Sequence, residues 1–213
     1  MPSASRPFLI GVAGGTCAGK TMICERLAAL AGDDHLALIR LDSYQIDHSH
    51  QSLTERAATN YDHPDAYDWV LLNEHLALLA AGESVLSPTY DFAVHNRSDV
   101  VKLVHPAPVM IVEGILVLHD PALRDRFALK VYVDADADLR FIRRLQRDVL
   151  ARGRTPDSIV EQYLATVRPG HEQFIEPSRR YADVIVPCRG QNEPAIQLLL
   201  AMVQTTAVMP PST

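Results

Sequence analysis

The chain has 213 residues, 47% of them hydrophobic and 22% charged, with a formal net charge of −6. That length carries one domain with a sizeable core, and the acidic balance argues against a general nucleic-acid binder. No apolar run reaches membrane-spanning length and no secretory leader is recognisable; three cysteines without a CxxC pair suit a reducing compartment, so a cytoplasmic protein is expected.

In chain order, Phe8 to Ala13 reads as a buried strand running into Gly14-Gly15-Thr16-Cys17-Ala18-Gly19-Lys20-Thr21, which fits the phosphate-loop pattern G-x-x-x-x-G-K-[ST] at every position. Gly14 and Gly19 let successive backbone N–H groups face phosphate oxygens. Lys20 is expected to reach the β- and γ-phosphates, and the Thr21 hydroxyl to ligate Mg²⁺. A helix is predicted from Lys20 to Ala31, closed by Gly32. Leu36 to Leu41 is a second strand, and it delivers Asp42 to the ligand edge of a parallel sheet, where it is the candidate base. Gln45 to Thr59 is polar and histidine-rich, a loop with a short helix, and Asp68 is placed to cap a helix from Trp69 that stops at Gly82.

Val85 to Tyr90 and Asp99 to Val104 read as an antiparallel hairpin joined by Asp91 to Ser98, an insertion on the parallel core. Val109 to Val112 is a continuous buried strand ending in Glu113, the position of a carboxylate that manages Mg²⁺. Leu129 to Val133 is a further strand. Ala135 to Ala151 has helical periodicity, with Leu139, Ile142, Leu145 and Val149 on one face and Arg140, Arg143, Arg144 and Arg147 on the other. Arg152-Gly153-Arg154 then forms a glycine joint before a helix capped by Thr155 and Pro156, which runs through Gln162 towards Val167. Six arginines in fifteen residues of an acidic chain suit a lid over triphosphate better than a solvated face. Asp183 to Val186 is the last strand and Glu193 to Thr205 the closing helix. The alternation implies an α/β fold: a P-loop-type parallel sheet with helices on both faces, a small β-hairpin insertion and a helical lid. One kinase domain spanning 1–213 is expected, with the hairpin at about 85–104 and the lid at about 140–167.

Several of these segments together resemble the uridine (uridine–cytidine) kinases of the phosphoribulokinase/uridine kinase group. They are the phosphate loop, Leu41-Asp42-Ser43-Tyr44, Asn60-Tyr61-Asp62-His63-Pro64, Pro88-Thr89-Tyr90-Asp91-Phe92, Val112-Glu113-Gly114-Ile115-Leu116, Arg143-Arg144 through Arg147-Asp148, Arg152-Gly153-Arg154 and Tyr181 to Pro187. The resemblance implies transfer of the γ-phosphate of ATP or GTP, with Mg²⁺, to the 5′-hydroxyl of uridine or cytidine. Asp42 would act as base on that hydroxyl and, with Thr21 and Glu113, is also a candidate on the metal side. Asp62, Arg144 and Arg147 would hold the ribose or the reacting phosphates, Tyr90, Phe92 and His95 would surround the pyrimidine, and Gln162 would contact the nucleoside. Arg154 would be a lid arginine. From the residues themselves, Arg152 is expected beside the donor, and Tyr44, Tyr61, Tyr67 and Tyr90 could stack on a base. The family also implies a homotetramer with small-molecule nucleoside and triphosphate substrates, and no nucleic-acid or membrane partner.

The chain departs from the family pattern at three places. Gln45 stands where a second aromatic is usual, Ala18 replaces a serine, and Cys188-Arg189 stands where Arg-Gly is usual. A sugar-phosphate acceptor, as in phosphoribulokinase, would need its own cationic pocket; the hairpin and the Asp62 segment offer tyrosines, carboxylates and histidines, with Arg97 the one arginine, which favours an uncharged acceptor. A nucleotide-binding regulator without catalysis would not need Lys20, Thr21, Asp42 and Glu113 together.

Overall fold

The computed structural model describes residues 6–188, 190 and 192–208. From sequence, Pro2 to Pro7 and Pro210 to Thr213 read as loose tails; apart from Arg6 and Pro7 these lie outside the described residues, as does Arg189 of the Cys188-Arg189 pair. Five strands make one parallel sheet: β1 (Phe8–Ala13), β2 (Leu36–Arg40), β5 (Val109–Glu113), β6 (Leu129–Asp134) and β7 (Val184–Pro187), in the order β2-β5-β1-β6-β7. A separate antiparallel pair is formed by β3 (Val85–Asp91) and β4 (Asn96–Val104).

Side chains alternate along the central strands, as the period of a strand requires. Leu9, Met110 and Val112 join a cluster with Leu72, Leu76 and Phe127 on one face; Ile10, Val12 and Ile111 join Ile23, Leu27 and Val203 on the other. The first face is covered by α3 (Trp69–Ala80), the second by α1 (Lys20–Ala31) and α8 (Glu193–Val208). Between β2 and α3 lie a tight turn at Leu41–Tyr44 and α2 (Leu53–Ala58), which begins with a reciprocal capping box between Ser52 and Glu55. Asp68 caps α3 by accepting from the Leu71 N–H at 3.0 Å.

After β5 come α4 (Pro121–Arg124), capped by Asp120, and then α5 (Ala137–Arg152), α6 (Pro156–Gln162) and α7 (Arg168–Gly170). Wide π turns at Tyr163–Val167 and His171–Ile175 flank α7, where Pro169 removes an amide donor from the regular ladder. Among the described residues no helix is long and apolar enough to cross a membrane.

One feature differs from the sequence expectation. β4 starts at Asn96 instead of Asp99, because Asn96, Arg97 and Ser98 continue the ladder opposite Asp91, Tyr90 and Thr89. The buried Asn96 amide is anchored on Asp47 and Ser49, at 2.7 and 2.9 Å, which holds these polar residues in a strand. On α5, periodicity separates an apolar stripe from an arginine stripe, and burial sorts the two. Its apolar residues Ile142, Val149 and Leu150 are exposed, Leu150 at 85%, whereas Arg140, Arg144 and Asp148 are buried. The arginine face is turned inward because it has partners there: Arg143 donates to the Cys17 and Cys188 carbonyls, and Arg144 to Thr16.

Candidate active site

Parallel register brings the chemistry to one edge. Glu113 ends β5 opposite Val12 of β1 and Arg40 of β2, so the phosphate loop, Asp42 and Glu113 all emerge at the carboxyl ends of neighbouring strands. Gly14 and Gly19 adopt φ of 143° and 108°, in the region that side chains resist, and a Cβ on Gly14 would lie 2.3 Å from the Val133 carbonyl oxygen. Ala18, in place of serine, is fully buried in the core.

Lys20 is buried, its ammonium donating to the Gly14 and Gly15 carbonyls at 2.9 and 3.0 Å. Burial pulls its pKa down, opposed by the Glu113 and Asp42 carboxylates. The Thr21 hydroxyl donates to Glu113 Oε1 at 3.0 Å. Burial pushes the Glu113 carboxyl up, against the pull of Lys20. Arg40 stands 3.9 Å from Glu113 and is also paired with Glu25.

Asp42 lies in the turn after β2, on the wall of a cleft lined by Thr16, Tyr61, Asp62, Tyr90, Phe92, His95 and Gln162 on the acceptor side, with Arg144, Arg147, Arg152 and Arg154 above it. The carboxylate thus stands between the phosphate loop and an aromatic pocket. Asp62 is buried, and its pKa is pushed up to about 6 by burial, with Arg144 opposing and Asp42 adding to the rise. Gly170 of α7 packs behind it: a Cβ there would come within 2.9 Å of the Asp62 Cβ. His95 occupies the hairpin turn at φ 51°, its ring stacked on Tyr61 with 6.1 Å between centroids and 12° between planes. Burial, followed by Arg154 and Arg152, lowers its pKa, so the ring is neutral near pH 7.

The arginines converge on one carboxylate. Asp148 has 0% exposure; Arg147 Nε is 2.8 Å from its Oδ1 and Arg152 Nη1 3.3 Å, while Arg144 Nε and Arg154 Nη1 stand 3.6 and 3.9 Å from Oδ2. Gln162 Oε1 accepts from Arg144 and Arg154, tying α6 to α5 across the Gly153 joint, where φ is 63°. Arg152 also lies over the Phe92 ring at 4.0 Å, which fastens the hairpin tip to the arginine cluster.

Tyr44 is a correction to the sequence expectation: it does not line the cleft. It is fully buried in the core under α3, with its hydroxyl 2.9 Å from His75 Nδ1, because the turn at Leu41–Tyr44 carries its side chain away from Asp42. Gln45, Tyr61 and Tyr67 line the cleft, where the sequence had offered Gln45 for one pocket wall and the two tyrosines for stacking on a base; Ile115 lines it as well, and the sequence had given it no role. The available signal for Ile115 was its place two residues after Glu113, in the quoted Val112 to Leu116 segment. Arg97 does not line the cleft; it is ion-paired with Asp68 at 3.2 Å. Arg56, on α2, stands near enough to lower the pKa of His95.

Three comparisons place the chain among known proteins. A family model described as the phosphoribulokinase/uridine kinase family matches residues 9–195. Uridine kinases from Deinococcus deserti and Chloroflexus aurantiacus are 50% and 51% identical to it, covering 94% and 93% of this chain and 97% and 95% of theirs. The fold is shared with the phosphoribulokinase of Rhodobacter spheroides, at a TM-score of 0.63, with 14% identity over 85% of this chain and 70% of that one. With the family model spanning most of its length and relatives matching it almost end to end, the chain belongs to the phosphoribulokinase/uridine kinase family.

Proposed function

We propose that this protein is a nucleoside kinase that transfers the γ-phosphate of ATP or GTP to the 5′-hydroxyl of uridine and cytidine, yielding the monophosphates. The observation that carries the reading is the position of Asp42, between the phosphate loop and a pocket walled by Tyr61, Tyr90, Phe92 and His95. Its near-identical length to uridine kinases about half identical in sequence supports the same reading. The pairing of Arg97 with Asp68 leaves the aromatic side of the cleft without a dedicated phosphate receptor, which favours an uncharged acceptor over a sugar phosphate.

Thr21 and Glu113 are suited to Mg²⁺: a hydroxyl and a carboxylate side by side are hard oxygen donors, and Mg²⁺ takes few protein ligands beside phosphates and water. No group of three or more His, Cys, Asp or Glu side chains is gathered as a metal site among the described residues, in keeping with such sparse ligation. When bound, the ion would neutralise charge on the β- and γ-phosphates. The phosphate loop would hold the donor through its backbone N–H groups and Lys20. Asp42 would accept the proton of the 5′-hydroxyl as its oxygen attacks, and Asp62 would accept a ribose hydroxyl. Arg144, Arg147, Arg152 and Arg154 would stabilise charge on the transferring group. In this reading the whole chain works as one kinase domain, with 85–104 as acceptor hairpin and 140–167 as lid. Homotetrameric assembly belongs to it too, supported by the exposed apolar Leu86, Val101 and Leu103 on the hairpin and Leu150 on α5. The three free thiols fit a cytoplasmic setting. A panel of nucleosides and ribulose 5-phosphate, each with ATP and with GTP, tests the reading. Turnover of ribulose 5-phosphate but of no nucleoside would replace it.

Two expectations arise here. The acid limb of kcat/KM for uridine should fall below pH about 6, as Asp62 takes up a proton and stops accepting from the ribose. Asp62→Asn should remove that limb and lower the plateau; an unchanged limb in the variant assigns it elsewhere. The effect on stability has the opposite sign. Because the folded pKa lies above the unfolded one, this group favours the fold in acid, and its contribution is lost as pH rises through about 6.

The second concerns the base. Uracil and cytosine differ at position 4, carbonyl against amine, and a neutral His95 can donate or accept through either tautomer. Uridine and cytidine should both be substrates, and His95→Tyr should selectively damage uridine use, by roughly ten- to hundred-fold in kcat/KM. A uridine-to-cytidine ratio equal to the parent's would show that His95 does not read the base.

A further inference from the structure

We propose that Asp148 is a positioning residue for phosphoryl transfer: a buried carboxylate that aims Arg144, Arg147, Arg152 and Arg154 at the transferring group without touching it. The inference rests on the kinase reading above and adds to it a residue with no contact to substrate.

The geometry is specific. One carboxylate, with no exposed surface, receives guanidinium groups from four directions within 3.9 Å. Three of the four arginines belong to α5 itself, at Arg144, Arg147 and Arg152, and the fourth follows the Gly153 joint. The same joint is closed by the Arg154 N–H donating to the Asp148 carbonyl at 3.1 Å. Asp148 therefore holds both the side chain and the backbone of the turn that carries Arg152 and Arg154.

Four like charges in one place repel, and without a counter-ion they would spread into solvent. Burial alone would raise the Asp148 pKa, yet the Arg147 hydrogen bond and the charges of Arg147, Arg152 and Arg144 hold it below the usual carboxylate range. The surrounding guanidinium groups thus favour its anionic form. Its Oδ1 is taken by Arg147, but Oδ2 has no hydrogen bond and faces Arg144 Nε, itself without one, across 3.6 Å. Arg144 spends its other nitrogens on Thr16 of the phosphate loop and on Gln162. The cluster is held together electrostatically while the guanidinium ends remain pointed at the cleft.

A positioning anion makes an unusual demand on its own removal. Asp148→Asn keeps the shape and deletes one negative charge from a cationic site, so a polyanion should bind no more weakly, while the arginines lose their aim. The experiment compares the full-length parent, Asp148→Asn and Asp148→Glu in two assays: uridine turnover, and binding of inorganic tripolyphosphate read as a thermal shift. The expected result is a kcat loss of about 10²-fold in Asp148→Asn, tripolyphosphate binding equal to or tighter than the parent's, and recovery of most of the loss in Asp148→Glu. A kcat within about threefold of the parent overturns the proposal. So does tripolyphosphate binding that weakens in step with kcat, with Asp148→Glu no better than Asp148→Asn, since both mark loss of structure. Tripolyphosphate binding needs no acceptor. A parent enzyme that phosphorylates no nucleoside therefore sinks the kinase reading, and weaker tripolyphosphate binding by Asp148→Asn then overturns the positioning role by itself.

Discussion

The Asp42→Asn protein is expected to lose on the order of 10²–10⁴-fold in kcat, while its affinity for the triphosphate stays close to the parent's. Asparagine keeps the shape of the side chain and removes its capacity to take a proton. Asp42 borders the aromatic pocket on one side and the Thr21–Glu113 pair on the other, so the loss should appear at saturating concentrations of both substrates. Steady-state turnover paired with a binding measurement on the same preparation checks it. A variant with near-parental kcat would remove Asp42 from the role of base.

Lys20→Met should be nearly as damaging, by a different route. The ammonium is the one lysine charge inside the phosphate loop, held by the carbonyls of Gly14 and Gly15. Methionine fills the space without donating or carrying charge, so both triphosphate affinity and turnover should fall, kcat/KM by on the order of 10²–10³-fold. Glu113 should respond as well: Lys20 pulls its pKa down, and losing that cation should let burial raise it further. The triphosphate-dependent rise in Tm should disappear with activity. Its persistence would mean that backbone N–H groups alone hold the donor.

Much of the site was legible because it is local in sequence. The phosphate loop is eight consecutive residues whose geometry follows from glycine and from the start of a helix, and it needs no distant partner to be recognised. Asp42 and Glu113 follow from apolar strands that end in a carboxylate, and the caps at Asp68 and Thr155 from single side chains beside helix starts. Within the cleft, Tyr90, Phe92 and His95 were expected from the family resemblance, carried by a hairpin segment that keeps them within a few residues of one another.

What eluded sequence reading is long-range. Gly170 matters because Asp62, more than a hundred positions earlier, leaves no room for a side chain there. Tyr44 looked equivalent to the other tyrosines until the turn at Leu41–Tyr44 directed it to His75.

The amino-acid sequence by itself determined the parallel-sheet architecture, the phosphate loop and the strand-end carboxylates, because alternation, capping and glycine conformation act over a few residues. The arginine run of α5 was already set apart from a solvated face in the sequence, and only the tertiary structure decided which partners it meets. Periodicity separates the apolar stripe of Ile142 and Val149 from the arginine stripe, and burial of the apolar stripe is the usual outcome. Here the phosphate loop supplies acceptors at Thr16 and Cys17, and Asp148 supplies the counter-charge. With those partners Arg140, Arg144 and Asp148 pack inward, while Ile142 and Val149 are exposed and Leu139 and Leu145 half-buried. The free energy of burying a charged face depends on what it meets, and the phosphate-loop acceptors lie more than a hundred residues away in the chain.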